Sequence, residues 1–464
     1  MKWTFKKKLA FIAQLIPVVL LLVLDPFGLT SAFDNATSDA LNRINSVDYS
    51  SAGQDEITVI LIDEQYLSSN NTSWPISYRE QAKIYRKILH YKPKALFLNI
   101  AFSHDRSTVD DPISKVFNTF KRYKKSHNTP IYLAEVESKY KNAPFEYLSA
   151  VEQSVINWQG FASKYPLQLN NNDTAALSLY REYCKKETSC ELFENGDNAL
   201  FAPLTVQWGS QISDSQSKEY DNSHCYKNNS NFSYLTDLIK GDLLWRFQER
   251  LFQKCPYTNT IMASSLIGND KEANRFFKDL IKDKLVLIGT MIDSAPDLIN
   301  SPVHGQVAGV YFHAMALDNL ITYGEKYKRQ PPDIIAKNIG VIDAIEMLFV
   351  IWVFALRYIL AHGAHPTHTP KNTVQNKTAA YLWLSTFLML AMMSYLSSNV
   401  LHYQMINWVG LTALAFSVMI YGINFNKFFE WFKGIIGNLK ILIMALNNKL
   451  NNLEILKNNN KDLS

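Results

Sequence analysis

Apolar residues recur along this chain in two rhythms, one of strands and one of helices. Ile57-Thr58-Val59-Ile60-Leu61-Ile62 is a nearly unbroken, β-branched run that ends abruptly in Asp63-Glu64. Such a run predicts a strand buried on both faces, as in a parallel sheet. Tyr78, Ala82, Ile84, Tyr85, Ile88 and Leu89 then follow helical spacing until Lys92-Pro93 stops them. Ala95 to Phe102 reads as a second buried strand, and Asp111 to Lys125 as a helix carrying Ile113, Val116, Phe117 and Phe120 on one face. Pro130 to Val136 is a third expected strand. Strand, helix, strand over this length predicts right-handed βαβ units. From about 140 to 260 the rhythm is lost in a stretch rich in Asn, Ser and Tyr, which predicts a loop-rich insertion or lid. It returns in a strand at Lys284–Thr290 and a helix at Val310–Ile321. The expected fold class is α/β, an exported domain with a buried, largely parallel sheet.

Four longer apolar runs add a transmembrane module to that domain. Residues 9–28 follow the lysines of residues 1–8 and predict a first span; the small residues Thr30-Ser31-Ala32 keep a cleaved signal peptide open as the alternative. Residues 337–360, 379–398 and 403–425 are each long enough to cross a bilayer at about 20 residues per crossing. The lysine-bearing link between His362 and Lys377 is expected inside and the uncharged Ser397–His402 link outside, which leaves residues 29–335 exported. In the tail, 426–464, Phe428, Phe432, Ile435, Leu439, Leu442, Leu446 and Leu453 fit either a short dimeric coiled coil or an amphipathic helix lying on the membrane.

Composition narrows the chemistry. A net charge of +5 argues against nucleic acid as a partner, and charged residues make up only 19% of the chain. Cys184, Cys190, Cys225 and Cys255 all fall in the expected exported stretch, where disulfides form; proximity in sequence favours Cys184–Cys190 and Cys225–Cys255 among the three possible pairings. No cysteine or histidine spacing points to zinc, and no P-loop, Gly-rich dinucleotide turn or nucleophile elbow is present, so neither a cofactor nor an enzyme is expected.

Asp63, Glu64, His104, Asp105, Asp293 and Asp297 each follow an expected strand and would gather at one sheet edge, where open α/β sheets bind ligands. They read either as a site for a cation or amine-bearing ligand or as helix caps and turns. Trp74-Pro75 with Arg79 reads either as a ligand wall with an anion-binding fork or as a rigid turn in which Arg79 pairs with Asp63 or Glu64. His313, among apolar neighbours, reads as a packed core histidine. Asp343 and Glu346, three residues apart, share a helical face with Arg357 inside the second span, a costly placement that points to helix pairing or a proton-sensitive relay; the other reading starts the span later and leaves Asp343 interfacial. His362, His365 and His368 are expected in a solvated loop.

Taken together, Ile62-Asp63-Glu64, Trp74-Pro75 with Arg79, Phe97-Leu98-Asn99-Ile100-Ala101-Phe102-Ser103, Lys284–Gly289, Asp297, Ser301-Pro302 and Ala308–Ala314 leading to Leu317-Asp318-Asn319 resemble the CHASE2 domain proteins. The resemblance implies a bacterial extracytoplasmic sensor domain between one N-terminal and three C-terminal spans. It covers most of the chain and is poorest over 140–260. Asn99 stands where the family usually carries Asp, which implies altered binding there. Only residues 426–464 follow the last expected span, too few for the catalytic output domain the resemblance implies. The expectation is therefore a sensor or receptor subunit that detects a small molecule or envelope condition, sits in the bilayer, and signals as a homodimer or through a separate membrane or cytoplasmic partner. A structural scaffold of an envelope complex is the alternative, and a periplasmic metal-dependent hydrolase a third reading.

Overall fold

A computed structural model describes residues 37–43, 45–46, 48–102, 105–135, 149–156, 164–185, 190, 202–213, 216, 256–267, 271–293, 297–330, 333–336, 339–363, 384–403, 410–412 and 414–415. The chain divides into two compact units: residues 34–334 with 394–406, and residues 1–33, 335–393 and 407–464.

The first unit is built on a six-stranded sheet in which every pairing is parallel. Its strands are β1 (Ile57–Asp63), β2 (Ala95–Leu98), β3 (Ile131–Glu135), β4 (Glu152–Val155), β5 (Asn259–Met262) and β6 (Leu285–Met291), in the order β4-β3-β2-β6-β1-β5. All seven residues of β1 are buried because β6 and β5 flank it and helices cover both faces. Val59 and Leu61 join one core, Ile60 and Ile62 the other; this two-faced burial is why the run is continuously apolar rather than alternating.

Helices α1 (Glu64–Ser69), α2 (Tyr78–His90), α3 (Ser114–His127), α5 (Ala263–Leu266) and α6 (Lys271–Ile281) cover one face. Helices α4 (Ala175–Cys184) and α7 (Val310–Tyr323) cover the other. A short antiparallel hairpin, β7 (Leu298–Ser301) and β8 (Gly305–Ala308), lies between β6 and α7. The α2 start is specified locally. Ser77 accepts from the Glu80 N–H, and Asp111 accepts from the N–H groups of Tyr78 and Arg79 at 2.7 and 2.8 Å.

In the first unit the structure departs from the expected elements in two places. The second strand stops at Leu98; the Asn99 N–H still donates to the Ile288 carbonyl at 2.8 Å, and its side chain meets a polar partner described below. The stretch expected as an insertion contributes to the main sheet: β4 and the start of β5 form its two edges, and α4 packs on its face. Edge strands need no long apolar run, so Glu152-Gln153-Ser154-Val155, exposed at its first two residues, left no strong signal. Cys184 and Cys190 form the expected disulfide, with a Cα–Cα separation of 5.5 Å; Cys225 and Cys255 lie outside the described residues.

The second unit contains α8 (Val341–Gly363), preceded in the chain by two short paired strands, Asp333–Ala336 at the boundary of the units and Ile339–Gly340. The helix thus starts later than the expected span, and the Asp343 carboxylate, in its first turn, accepts from the Gly340 N–H at 2.6 Å. Glu346 is buried, and the Arg357 side chain lies outside the described residues. Among the described residues no helix is long and apolar enough to cross a membrane. The side chains of α8 are described only to Leu356, and the expected first span, most of the fourth, the tail, His365 and His368 lie outside the described residues.

Candidate functional site

The strand order makes a crevice at the carboxyl ends of β1 and β6. The chain leaves β1 toward the α2 face and leaves β6, through the hairpin, toward the α7 face. Adjacent parallel strands whose connections depart to opposite faces form a topological switch point, the usual ligand position in open α/β sheets. Asp63 and Glu64 end β1, Asp293 follows β6, and Asn99 follows β2. The sheet therefore brings together five of the sequence-derived candidates, with Asp297 as the fifth. His104 lies outside the described residues.

Each member has a definite partner. Asp63, only 7% exposed, accepts from the Ser264 N–H at 3.2 Å and from the Ser264 hydroxyl at 2.8 Å, holding the first turn of α5. Glu64 is exposed and accepts from the Asp293 N–H at 3.0 Å, bridging the ends of β1 and β6. Asn99 donates from its amide to Asp297 at 2.8 Å. Asp105 accepts from the Ser107 N–H and hydroxyl and closes a local turn. The cluster thus combines a buried, doubly bonded Asp63 with the exposed residues Glu64, Asp293 and Asp297, while Asp105 serves its own turn outside it.

Asp297 ties this edge to α7. Its carbonyl accepts from the Gly309 N–H at 2.6 Å, and its carboxylate lies so close to Gly309 that a Cβ there would stand 2.5 Å from Oδ1. The residue surface is exposed, yet the carboxylate is partly desolvated against this main chain. Burial raises its pKa above the usual carboxylate value, and the Asn99 hydrogen bond pulls it back. Asn99 donates here a hydrogen bond that a second carboxylate could make only by holding a proton.

Trp74 is half-buried against the α2 core, and the Arg79 expectation is corrected. Arg79 is exposed, its main-chain N–H serves Asp111, and no ion pair joins its guanidinium to Asp63 or Glu64 among the described residues. The arginine beside the Trp74-Pro75 turn is Arg106. It donates to the Pro75 carbonyl at 3.2 Å and lies over the Tyr78 ring. His313 is a core histidine as expected: it is 5% exposed and hydrogen-bonded to the Tyr165 hydroxyl, and burial pushes its pKa down to about 3. Among the described residues no group of three or more His, Cys, Asp and Glu side chains is placed to hold a metal ion.

A second polar cluster, at the other end of α7, was not singled out as a site from the sequence. Asp318 is 1% exposed and accepts from the Tyr49 hydroxyl at 2.6 Å and from Thr322 at 3.2 Å. Asn319 donates to the Tyr49 hydroxyl and the Gln207 carbonyl and accepts from the Gln207 N–H. Burial raises Asp318 to a pKa of about 7, against the lowering effect of Tyr49 and Thr322. The available signal was an adjacent Asp and Asn inside an otherwise apolar helix, which demands buried partners.

Residues 15–356 match the family model described as the CHASE2 domain. No curated protein and no solved structure matches the chain.

Proposed function

We propose, from the premise that this chain belongs to the CHASE2 domain family, that it is a membrane-anchored sensor subunit. Its α/β domain reads a small molecule or envelope condition in the periplasm, with the crevice of Glu64, Asn99, Asp293 and Asp297 as its input site. Its apolar segments, crossing the inner membrane, pass the signal to a separate partner. CHASE2 is a sensor-type extracytoplasmic domain, which supports the input half of this reading.

One observation carries the output half. Residues 394–406 return from the apolar C-terminal region and belong to the same compact unit as the α/β domain. The Arg329 N–H donates to the His402 carbonyl at 3.0 Å, and Arg329 forms bridges to both Leu204 and Tyr403. A strand-like junction of three chain segments therefore joins the domain to the link between two expected spans. The exposed side chains of Tyr395, Leu396, Val400 and Leu401 fit a position at a lipid surface.

The test is a thermal-shift screen of the full-length protein in nanodiscs against amines, cations, sugars and amino acids, followed by hydrogen exchange with each hit. A sensor gives a hit weakened by Asp297→Ala, and that hit changes exchange in residues 394–403. A scaffold gives a melting temperature indifferent to the whole panel.

A further inference from the structure

The amino edge of the sheet, opposite the acidic crevice, holds a cavity of about 600 Å³ within the first unit. Segments 38–49, 205–208, 323–328 and 394–402 enclose it. The volume lies in the range of small-molecule sites.

The walls are cationic. Lys326 and Lys328 line the cavity against one acid, Asp48, with the neutral imidazole of His402 beside them. Neither lysine ammonium makes an ion pair or hydrogen bond among the described residues. Burial lowers the Lys328 pKa to about 8; the His402 pKa is lowered by burial first and then by Arg329, Lys326 and Lys328. Cations crowded this way repel one another and gain from an anion between them.

The polar inventory points to the same place. Among the described residues three buried side-chain atoms lack a hydrogen-bond partner: Thr205 Oγ1, Arg329 Nε and Ser398 Oγ. Thr205 and Ser398 line this cavity and are only 7% and 5% exposed; Arg329 directly follows Lys328. An orphaned buried polar atom costs about 1–3 kcal/mol, so such atoms are scarce and mark sites where a partner belongs. Two lysines and a histidine line one volume, and two orphaned hydroxyls lie buried within its wall, a set that matches the several oxygens of a phosphoryl group. Trp208 and Tyr395 supply apolar wall for the body that carries it.

We propose that this cavity binds a phosphoryl-bearing anion of glycerophosphate size, held by Lys326, Lys328, His402, Thr205 and Ser398. The anion is either a soluble phosphate ester or the headgroup of an anionic phospholipid; the exposed apolar rim at Tyr395 and Leu396 makes both geometrically accessible. The assignment is independent of the sensor reading, because it concerns the opposite edge of the sheet and a binding measurement decides it.

The experiment uses the full chain in nanodiscs of phosphatidylcholine, with and without glycerol 3-phosphate, and in nanodiscs containing phosphatidylglycerol. Stabilisation by glycerol 3-phosphate in phosphatidylcholine discs identifies a soluble ester, and stabilisation by phosphatidylglycerol discs alone identifies the headgroup. In either case Lys326→Gln with Lys328→Gln weakens binding at least tenfold, while the exposed Lys83→Gln on α2 leaves it unchanged. Ser398→Ala serves as the milder variant should the double substitution fold poorly, and it weakens binding about fivefold. Stabilisation by neither probe, or binding that survives Ser398→Ala and the double substitution intact, overturns the proposal.

Discussion

Two buried titratable residues on α7 act on stability in opposite directions. Asp318 has its pKa raised to about 7 from 3.8, so between roughly pH 4 and 7 the folded protein holds a proton that the unfolded chain releases. Its contribution is fully present below pH 4 and is lost as pH rises toward 7, by at most about 4 kcal/mol. His313, depressed from 6.5 to about 3, does the reverse: its contribution is present above pH 6.5 and is lost as pH falls toward 3. Asp318→Asn keeps an acceptor for Tyr49 and Thr322 without the titration. Its melting temperature is expected to rise with pH between 4 and 6.5 more steeply than that of the parent protein. His313→Gln is expected to show the opposite tilt. Melting curves across that pH window check both, and parallel profiles for all three proteins would refute the burial argument. At the carboxyl edge, Asp63→Ala removes both partners of Ser264 and is expected to cost about 1–2 kcal/mol by denaturant titration. Arg79→Ala, on an exposed side chain, is expected to change stability by less than about 0.5 kcal/mol.

Among the elements, α7 connects the two polar ends of the sheet. At 14 residues it is about 21 Å long, close to the length of the seven-residue β1 and β6. It starts beside Asp297 at the carboxyl edge, and Asp318 packs against Gly53, just before β1, at the amino edge. Two glycines let it lie this close. A Cβ at Gly289 would meet Val310 at 2.5 Å, and one at Gly309 would meet the Asp297 carboxylate. Gly309→Ala and Gly289→Ala are each expected to push the start of α7 outward and destabilise the protein by about 1–3 kcal/mol, measured by denaturant titration. A loss under 0.5 kcal/mol for both would mean the helix seat is plastic. The apolar runs made β1, β2, β3, β6 and α7 legible in the sequence, because burial on two faces or all round leaves a continuous signal. The edge strands β4 and β5 were not legible: β4 is half exposed, and buried β5 opens with Asn259 and Thr260, whose polar side chains bond to Gln54 and Tyr311. The candidate acids were legible as a group, since each follows a strand. Their roles were not, because Ser264 and the Asp293 N–H are distant in sequence from the carboxylates they serve.

On the scale of the whole molecule, the return of residues 394–406 to the α/β unit decides whether a signal has a mechanical exit. Hydrophobic patterning drew only Ser397–His402 as an outer link and gave the rest of 394–406 to two spans, and nothing in the sequence announced the pairing with Arg329, because main-chain hydrogen bonds leave no side-chain signature. The pairing nevertheless has a measurable consequence. The N–H groups of Thr205, Arg329 and Tyr403 donate to the carbonyls of Lys328, His402 and Ser397, at 2.7, 3.0 and 3.0 Å. Amides locked in one junction open together, so native-state hydrogen exchange is expected to give these three a common protection, below that of the central strands β1 and β6 but far above that of a free loop. Arg329→Pro deletes one donor of the set. It is expected to release the amides of 394–403 while leaving β1 and β6 protected. If 394–403 exchange freely in the parent protein, the link is not part of the domain, and the junction at Arg329 carries no coupling.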